Sequence, residues 1–240
     1  MEIILTVEDL SISFGGNRVL DGVNFELRRG ETLGVIGPNG AGKTVMLNIL
    51  SGILKPTSGE VIFEGERLTG KSTDEYARIG IGRTFQVPRS FENMTLYENI
   101  MVGGIYGDHL KEPQAGSRAE ILLNLIGLAD KAKVFAGKLG LLDRKRLEIG
   151  IALASRPKLL LLDEVAGGLT ESEVLKILEL ISEMKETGIS IIWIEHVLQT
   201  MVDGTDRVML LAEGKNLICG LPRDVMASSE VERVYLGVKK

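Results

Sequence analysis

The sequence predicts an α/β fold: a parallel sheet between helices, led by short strands and interrupted by a helical insertion. Three observations carry this expectation. Apolar runs at 32–36, 159–162 and 191–194 read as strands buried on both faces. A glycine-rich turn at 37–42 joins the first of them to the helix-like run Val45–Leu50. From about Val87 to Leu142 the strand pattern gives way to phenylalanine and glycine punctuation with Ser/Thr-x-x-Glu pairs, which open helices.

Residues 3–36 read as short strands with turns at Gly15-Gly16-Asn17 and Arg29-Gly30-Glu31. Phe14, just before the first turn, reads on residue grounds as a core aromatic. Gly59–Glu66 reads as a hairpin, Ser72-x-x-Glu75 as the capping box of a short helix, and Ile81–Gln86 as a strand ending in an amide. Within the insertion, Thr95-x-x-Glu98 and Ser117-x-x-Glu120 read as two more capping boxes, and His109 as a solvated loop residue. Asp143 is a candidate cap for the helix Arg144–Ser155. Arg144, Lys145 and Arg146 then oppose the helix dipole, so they form either a solvated basic patch or a surface that meets an anion or acidic partner. Leu159–Leu162 leads into Asp163 and Glu164; Thr170-x-x-Glu173 opens a helix with apolar spacing through Met184; and Ile191–Ile194 leads to Glu195 and His196. Two strands, Val208–Ala212 and Asn216–Cys219, and short helices after Pro222 complete the chain.

Composition narrows the function. A net charge of −5 and a pI near 5.3 give no basic footprint, which argues against nucleic acid as a partner. The single cysteine, Cys219, excludes an intramolecular disulfide and any multi-cysteine metal site. The start Met1–Asp9 carries acids where a signal peptide carries basic residues, so export is not expected. The apolar runs fall far short of the ~18–20 residues that cross a bilayer, so membrane association is expected through a partner.

The chemistry begins at Gly37-Pro38-Asn39-Gly40-Ala41-Gly42-Lys43-Thr44, which spells the phosphate-binding pattern G-x-x-x-x-G-K-[ST] between a strand and a helix. The glycines let backbone N–H groups wrap an anion at the positive end of the following helix. Lys43 is expected to reach the β- and γ-phosphates of ATP and Thr44 to ligate Mg²⁺. Asp163 suits the strand-end carboxylate that holds the metal, and Glu164 the base that takes a proton from the attacking water, an effect of about 10²–10⁴ in rate. Gln86 and His196, at the ends of neighbouring strands, are candidates for sensing the metal and the γ-phosphate.

This ordered set resembles the ATP-binding subunit of ABC transporters over nearly the whole chain. Arg83-Thr84-Phe85-Gln86, Thr95–Asn99, Arg146–Ile149 and Ala166–Leu169 look most like the ATPases of branched-chain amino-acid importers and their amide or urea relatives. The resemblance implies a P-loop NTPase fold: a RecA-like core with N-terminal antiparallel β strands, residues 1–86 and 143–240, and an α-helical subdomain at 87–142. It makes Phe14 the aromatic that stacks on adenine, Gln86 a metal ligand linked to the transmembrane subunit, and His196 the γ-phosphate switch. It implies transmembrane permease subunits, a second ATP-binding subunit, a solute-binding protein acting indirectly, and a place on the cytoplasmic face of the cell membrane. The insertion would carry the groove that receives a coupling helix.

Departures gather in one place. The family signature, Leu-Ser-Gly-Gly-Gln or Leu-Ser-Tyr-Gly-Gln, aligns with Leu139-Gly140-Leu141-Leu142-Asp143, which lacks its serine, second glycine and glutamine. In the family this segment caps the γ-phosphate of the other subunit in a head-to-tail dimer. The expectation is therefore asymmetric, a heterodimer in preference to a homodimer, in which this chain supplies good Walker residues and a weak signature. Val165 and Thr170 also depart from the family's proline and Asp or Asn. The competing readings are a soluble ABC-type ATPase, or a nucleotide switch not coupled to a transporter.

Overall fold

The computed structural model describes residues 2–236; the outer ends of the expected core segments, Met1 and 237–240, lie outside the described residues. Alternating apolar residues pair β1 (Ile3–Phe14) with β2 (Asn17–Arg28) in an antiparallel ribbon. The strand β4 (Ser58–Phe63) adds to the other edge of β1 and turns through Glu64-Gly65 into β5 (Glu66–Arg67), the expected hairpin. The resulting sheet has the order β2-β1-β4-β5.

The second sheet holds β3 (Thr32–Ile36), β6 (Ile81–Arg83), β7 (Leu159–Asp163), β8 (Ser190–Ile194), β9 (Arg207–Ala212) and β10 (Lys215–Gly220) in the order β10-β9-β3-β8-β7-β6. All neighbours are parallel except β10, which returns antiparallel beside β9. The unbroken apolar runs are explained by burial on both faces. Leu159 and Leu161 of β7 pack into a core with Leu33, Ile192 and the first sheet, while Leu160 and Leu162 enter a second core with Trp193. Each of these four leucines is wholly buried, and each contributes about 1.5–3 kcal/mol to burial. The first core is closed by α1 (Lys43–Leu50) through Met46, Leu47, Ile49 and Leu50. The second is closed by α6 (Glu171–Glu186) through Ile177, Leu180, Ile181 and Met184, with Thr170 and Glu173 forming the expected capping box.

Between β6 and β7 the chain is helical: α3 (Leu96–Gly107), α4 (Glu112–Leu125), two short 3₁₀ turns and α5 (Leu141–Ala154). The remaining helices are α2 (Thr73–Arg78), α7 (Leu198–Gly204), α8 (Pro222–Met226) and α9 (Ser229–Leu236). The capping boxes at Ser72 and Thr95 form as expected. Two helix starts differ from the sequence reading. Ser117 lies inside α4, where its hydroxyl donates to the Pro113 carbonyl; Pro113, pre-set for the first helical turn, lets the helix start earlier. Asp143 does not cap α5, which begins at Leu141 behind Gly140; Asp143 instead accepts from Lys131 at 2.6 Å. The strand β6 stops at Arg83, which leaves Gln86 on the loop beyond it. Phe14, 47% exposed at the tip of β1, is not a core aromatic. Among the described residues no helix is long and apolar enough to cross a membrane.

Candidate active site

Four neighbouring parallel strands, β3, β8, β7 and β6, deliver their carboxyl ends to one edge of the sheet, where crevices form in open α/β folds. The phosphate loop leaves β3 and runs into α1. Its glycines are dictated by space: a Cβ on Gly37 would lie 1.9 Å from the Leu211 carbonyl oxygen, and one on Gly42, at φ 100°, would lie 2.6 Å from Leu20. Gly42 caps α1 with no side chain over its first N–H groups, which leaves those donors for an anion. The loop and its surroundings enclose an open cleft of about 560 Å³, lined by Asn39, Gly40, Ala41, Gly42, Lys43, Thr44 and Val45 and faced by Val19, Gln86, Glu164 and His196.

Lys43 is folded back on its own loop, with Nζ donating to Gly37 O at 2.6 Å and Pro38 O at 3.0 Å. Burial pushes its pKa down, while the carboxylates of Glu164 and Asp163 oppose that shift. The ammonium thus has only two carbonyls to surrender on meeting a phosphate. The Thr44 side chain is exposed at the mouth of the cleft.

Glu164 is held at every polar group. Its N–H donates to Ile194 O at 3.0 Å, its carbonyl accepts from Lys145 Nζ at 2.7 Å, and its carboxylate accepts from Gln86 Nε2 at 2.6 Å and meets His196 Nε2 at 2.5 Å. The residue sits at φ 52°, a conformation costly for a side chain with a Cβ and sustained here by those four contacts. The three sequence candidates Gln86, Glu164 and His196 therefore converge, although Gln86 and His196 lie 78 and 32 residues from Glu164 in the chain.

Asp163 is almost wholly buried. Its backbone N–H donates to Thr84 Oγ1 at 3.2 Å, its Oδ2 lies 3.4 Å from the Arg83 guanidinium, and its Oδ1 has no partner. Desolvation raises its pKa, and the Arg83 charge works against that rise. Arg83 also donates from one nitrogen to Asn48 Oδ1 at 2.7 Å and Ser51 Oγ at 2.8 Å, so one side chain ties the helix after the phosphate loop to the strand-end carboxylate.

Three supporting residues escaped the sequence reading of roles. Arg83 is one, and Lys145 is the second: only 5% exposed, it is neither a solvated patch nor a partner surface, and it ties α5 to the Glu164 backbone. The third is Glu195, whose carboxylate accepts from Ala166 N–H at 2.6 Å and Trp193 Nε1 at 3.1 Å, anchoring the loop after Glu164 to the end of β8. Its only sequence signal is its place beside His196.

Other expected residues stand apart. Phe14 does not line the cleft, whereas Val19 does. Leu139 is buried, Gly140 and Leu141 are exposed, and Leu142 and Asp143 are partly covered; none of the five touches the cleft of its own chain. Arg144 folds back on this turn, donating to Leu139 O and Gly137 O at 2.9 and 3.0 Å. His109 lies in the loop between α3 and α4 at φ 51°.

The sequence model of the ABC transporter family matches residues 20–167. The high-affinity branched-chain amino acid transport ATP-binding protein LivG of Escherichia coli K12 is 36% identical over 98% of both chains. A probable counterpart from Archaeoglobus fulgidus is 32% identical over 98% of this chain and 96% of its own. The lipopolysaccharide export ATP-binding protein LptB of Haemophilus influenzae is 30% identical over 98% and 97%. Among solved structures, an ATP-binding cassette of an ABC transporter in its ADP conformation superposes with a TM-score of 0.89 at 30% identity, over 99% of this chain and all of that one. A dimeric cassette bound to ADP and phosphate superposes at 0.82 with 25% identity, over 92% and 99%. With family match, near full-length relatives and a nucleotide-type cleft all in agreement, the chain belongs to the ATP-binding subunits of ABC transporters and is an ATPase.

Proposed function

We propose that this chain hydrolyses ATP to drive import of branched-chain amino acids or related small polar solutes through separate permease subunits. The observation that carries the reading is the four-point hold on Glu164 above the phosphate loop. A carboxylate fixed in this way is pre-set to take a proton from water, and fixing the base lowers the reorganisation needed at the transition state. Lys43 exchanges its two loop carbonyls for phosphate oxygens, and the open N–H groups of α1 hold the rest of the anion. Each carboxylate oxygen of Glu164 has one partner and a lone pair to spare, so the attacking water can donate to the carboxylate beside Gln86 or His196. His196 and Gln86, in the segments just after β8 and β6, register the arrival of that water.

A divalent cation fits the residues present. The unpartnered, buried Oδ1 of Asp163 offers one hard oxygen, Thr44 an exposed hydroxyl, and Gln86, whose amide nitrogen is engaged by Glu164, its carbonyl oxygen. One carboxylate with substrate phosphates is the donor set that Mg²⁺ commonly takes. Bound there, it would neutralise charge on the β- and γ-phosphates.

The partner assignments follow the same reading. Residues 87–142 act as a helical subdomain, and the groove of about 670 Å³ between α3 and α4, lined by Tyr97, Met101, Val102, Ile105 and Leu123, receives a coupling helix. The chain works at the cytoplasmic face of the membrane with a second ATP-binding subunit, a heterodimer being favoured by the altered signature, and with a solute-binding protein reached through the permease. Tagged protein should co-purify with a polytopic membrane protein from detergent-solubilised membranes, and ATP turnover of that complex should rise with solute-loaded binding protein. Turnover indifferent to both would contradict the coupling.

A further inference from the structure

The first glycine of the phosphate loop is gripped from two sides. Its carbonyl accepts from Lys43, and its N–H donates to the hydroxyl of Tyr235, 198 residues away on α9, at 2.9 Å. Neither family resemblance nor the cleft accounts for the second contact. Gly37 is buried, and its missing Cβ lets the chain pass against Leu211 of β9, so this residue has little room to shift. The helix α9 is itself seated by Val231, 6% exposed in the second core. Beside the contact a gap of about 290 Å³ separates Pro38 and the β9–β10 turn from Arg233 and Val234 of α9. The gap is thus lined by the residue after Gly37 and by the two residues before Tyr235. Tyr235 keeps 36% of its surface exposed, so this hydroxyl is only partly shielded from water; that partial burial raises its pKa and the Gly37 N–H works against the rise.

We propose that Tyr235 is a positioning residue for nucleotide: it braces Gly37 when Lys43 leaves the loop for the phosphates, and so couples the seating of α9 to ATP affinity. The physical reason is an exchange of restraints. Without nucleotide, Lys43 holds the Gly37 and Pro38 carbonyls and closes the loop on itself. With nucleotide those two bonds are given up, and the start of the loop keeps its place through the steric wall at Leu211 and the bond to Tyr235. The hydroxyl thus matters more to the bound state than to the free one, which is what coupling requires. Binding of ATP must by the same linkage tighten α9.

This inference rests on ATP binding at the loop, and the test separates the two. Wild-type protein and Tyr235→Phe, which keeps the ring and removes only the hydroxyl, are titrated with a fluorescent ATP analogue and Mg²⁺. The steady-state rate is measured against ATP concentration. Tyr235→Phe should bind up to about tenfold more weakly, the upper scale of one hydrogen bond, with KM raised and kcat little changed. Arg233→Ala, which lines the gap without touching the loop, should bind as wild type does. A Tyr235→Phe protein with a lower melting midpoint but unchanged affinity would make the contact purely structural and overturn the proposal. Failure of the wild type to bind would instead overturn the reading of the cleft. Hydrogen exchange on the wild type needs no variant: backbone amides at 229–236 should exchange more slowly with Mg-ATP, and equal rates with and without it would also overturn the proposal.

Discussion

Replacing Arg83 by methionine tests the most buried link in the site. The Arg83 side chain is 6% exposed and that of Asp163 2%, so the variant leaves a carboxylate in a region that water barely reaches. Burial already pushes the Asp163 pKa up and the Arg83 pKa down, which means that desolvation outweighs the attraction in both partners. Such a pair is no net gain over apolar packing, yet breaking one side costs about 3–5 kcal/mol because the remaining charge is uncompensated. The lost bonds to Asn48 and Ser51 add about 1 kcal/mol each, while the long 3.4 Å contact places the ionic share at the low end. We therefore expect a loss of about 4–5 kcal/mol, read by urea denaturation without nucleotide. The same curve for Arg83→Met with Asp163→Asn should recover about 1–3 kcal/mol, since a neutral amide tolerates the site better. A loss under about 1 kcal/mol, or a double variant no more stable than Arg83→Met alone, would refute the pairing as the reason these two residues face each other.

Glu148, buried on α5, accepts from Phe85 N–H at 2.7 Å, and desolvation lifts its pKa from 4.5 to about 7 against the opposing charges of Lys145 and Arg89. A raised pKa favours the folded state fully below the unfolded value of 4.5, and this contribution is lost as pH rises to about 7; its upper bound is about 3 kcal/mol. Glu148→Gln keeps the acceptor and removes the proton, so its denaturation free energy should fall less than that of the wild type between pH 5 and pH 7.5; parallel curves would contradict the assignment. Lys43→Ala should weaken ATP binding by about 1.5–3 kcal/mol in a titration with fluorescent nucleotide, and wild-type affinity would remove Lys43 from the phosphate site. Light scattering of Glu164→Gln with Mg-ATP should show a monomer, because Leu142 and Asp143 replace the glycine and glutamine of the family signature; a dimer formed only with ATP would contradict the preference for a heterodimer.

The parts of the fold legible in sequence were those written in contiguous residues. Three doubly buried strands announced themselves as unbroken apolar runs, and the phosphate loop as eight consecutive residues. Asp163, Glu164 and His196 were legible because a polar residue that ends a buried strand of a parallel sheet has one edge to face. What escaped depends on contacts across the sheet. Arg83 reaches Asp163 80 residues away and Asn48 35 away, and no local pattern marks it as buried. Lys145 sits between two exposed-looking basic neighbours, and only the packing of α5 beneath Glu164 sets it apart. The capping rule failed at Ser117 because a serine followed by a glutamate three residues on occurs inside helices too, and Pro113 had already fixed the start. At Asp143 it failed because Lys131, brought close by the preceding turns, claims the carboxylate.

The central claim is that Glu164 acts on water at the phosphate loop, and single-turnover hydrolysis by Glu164→Gln beside wild type tests it most directly. Glutamine preserves the shape held by Gln86 and His196 but has no basic oxygen pair, so bound Mg-ATP should persist at near wild-type affinity while cleavage slows by about 10²-fold or more. Equal cleavage rates in the two proteins, with ATP bound in both, would contradict it.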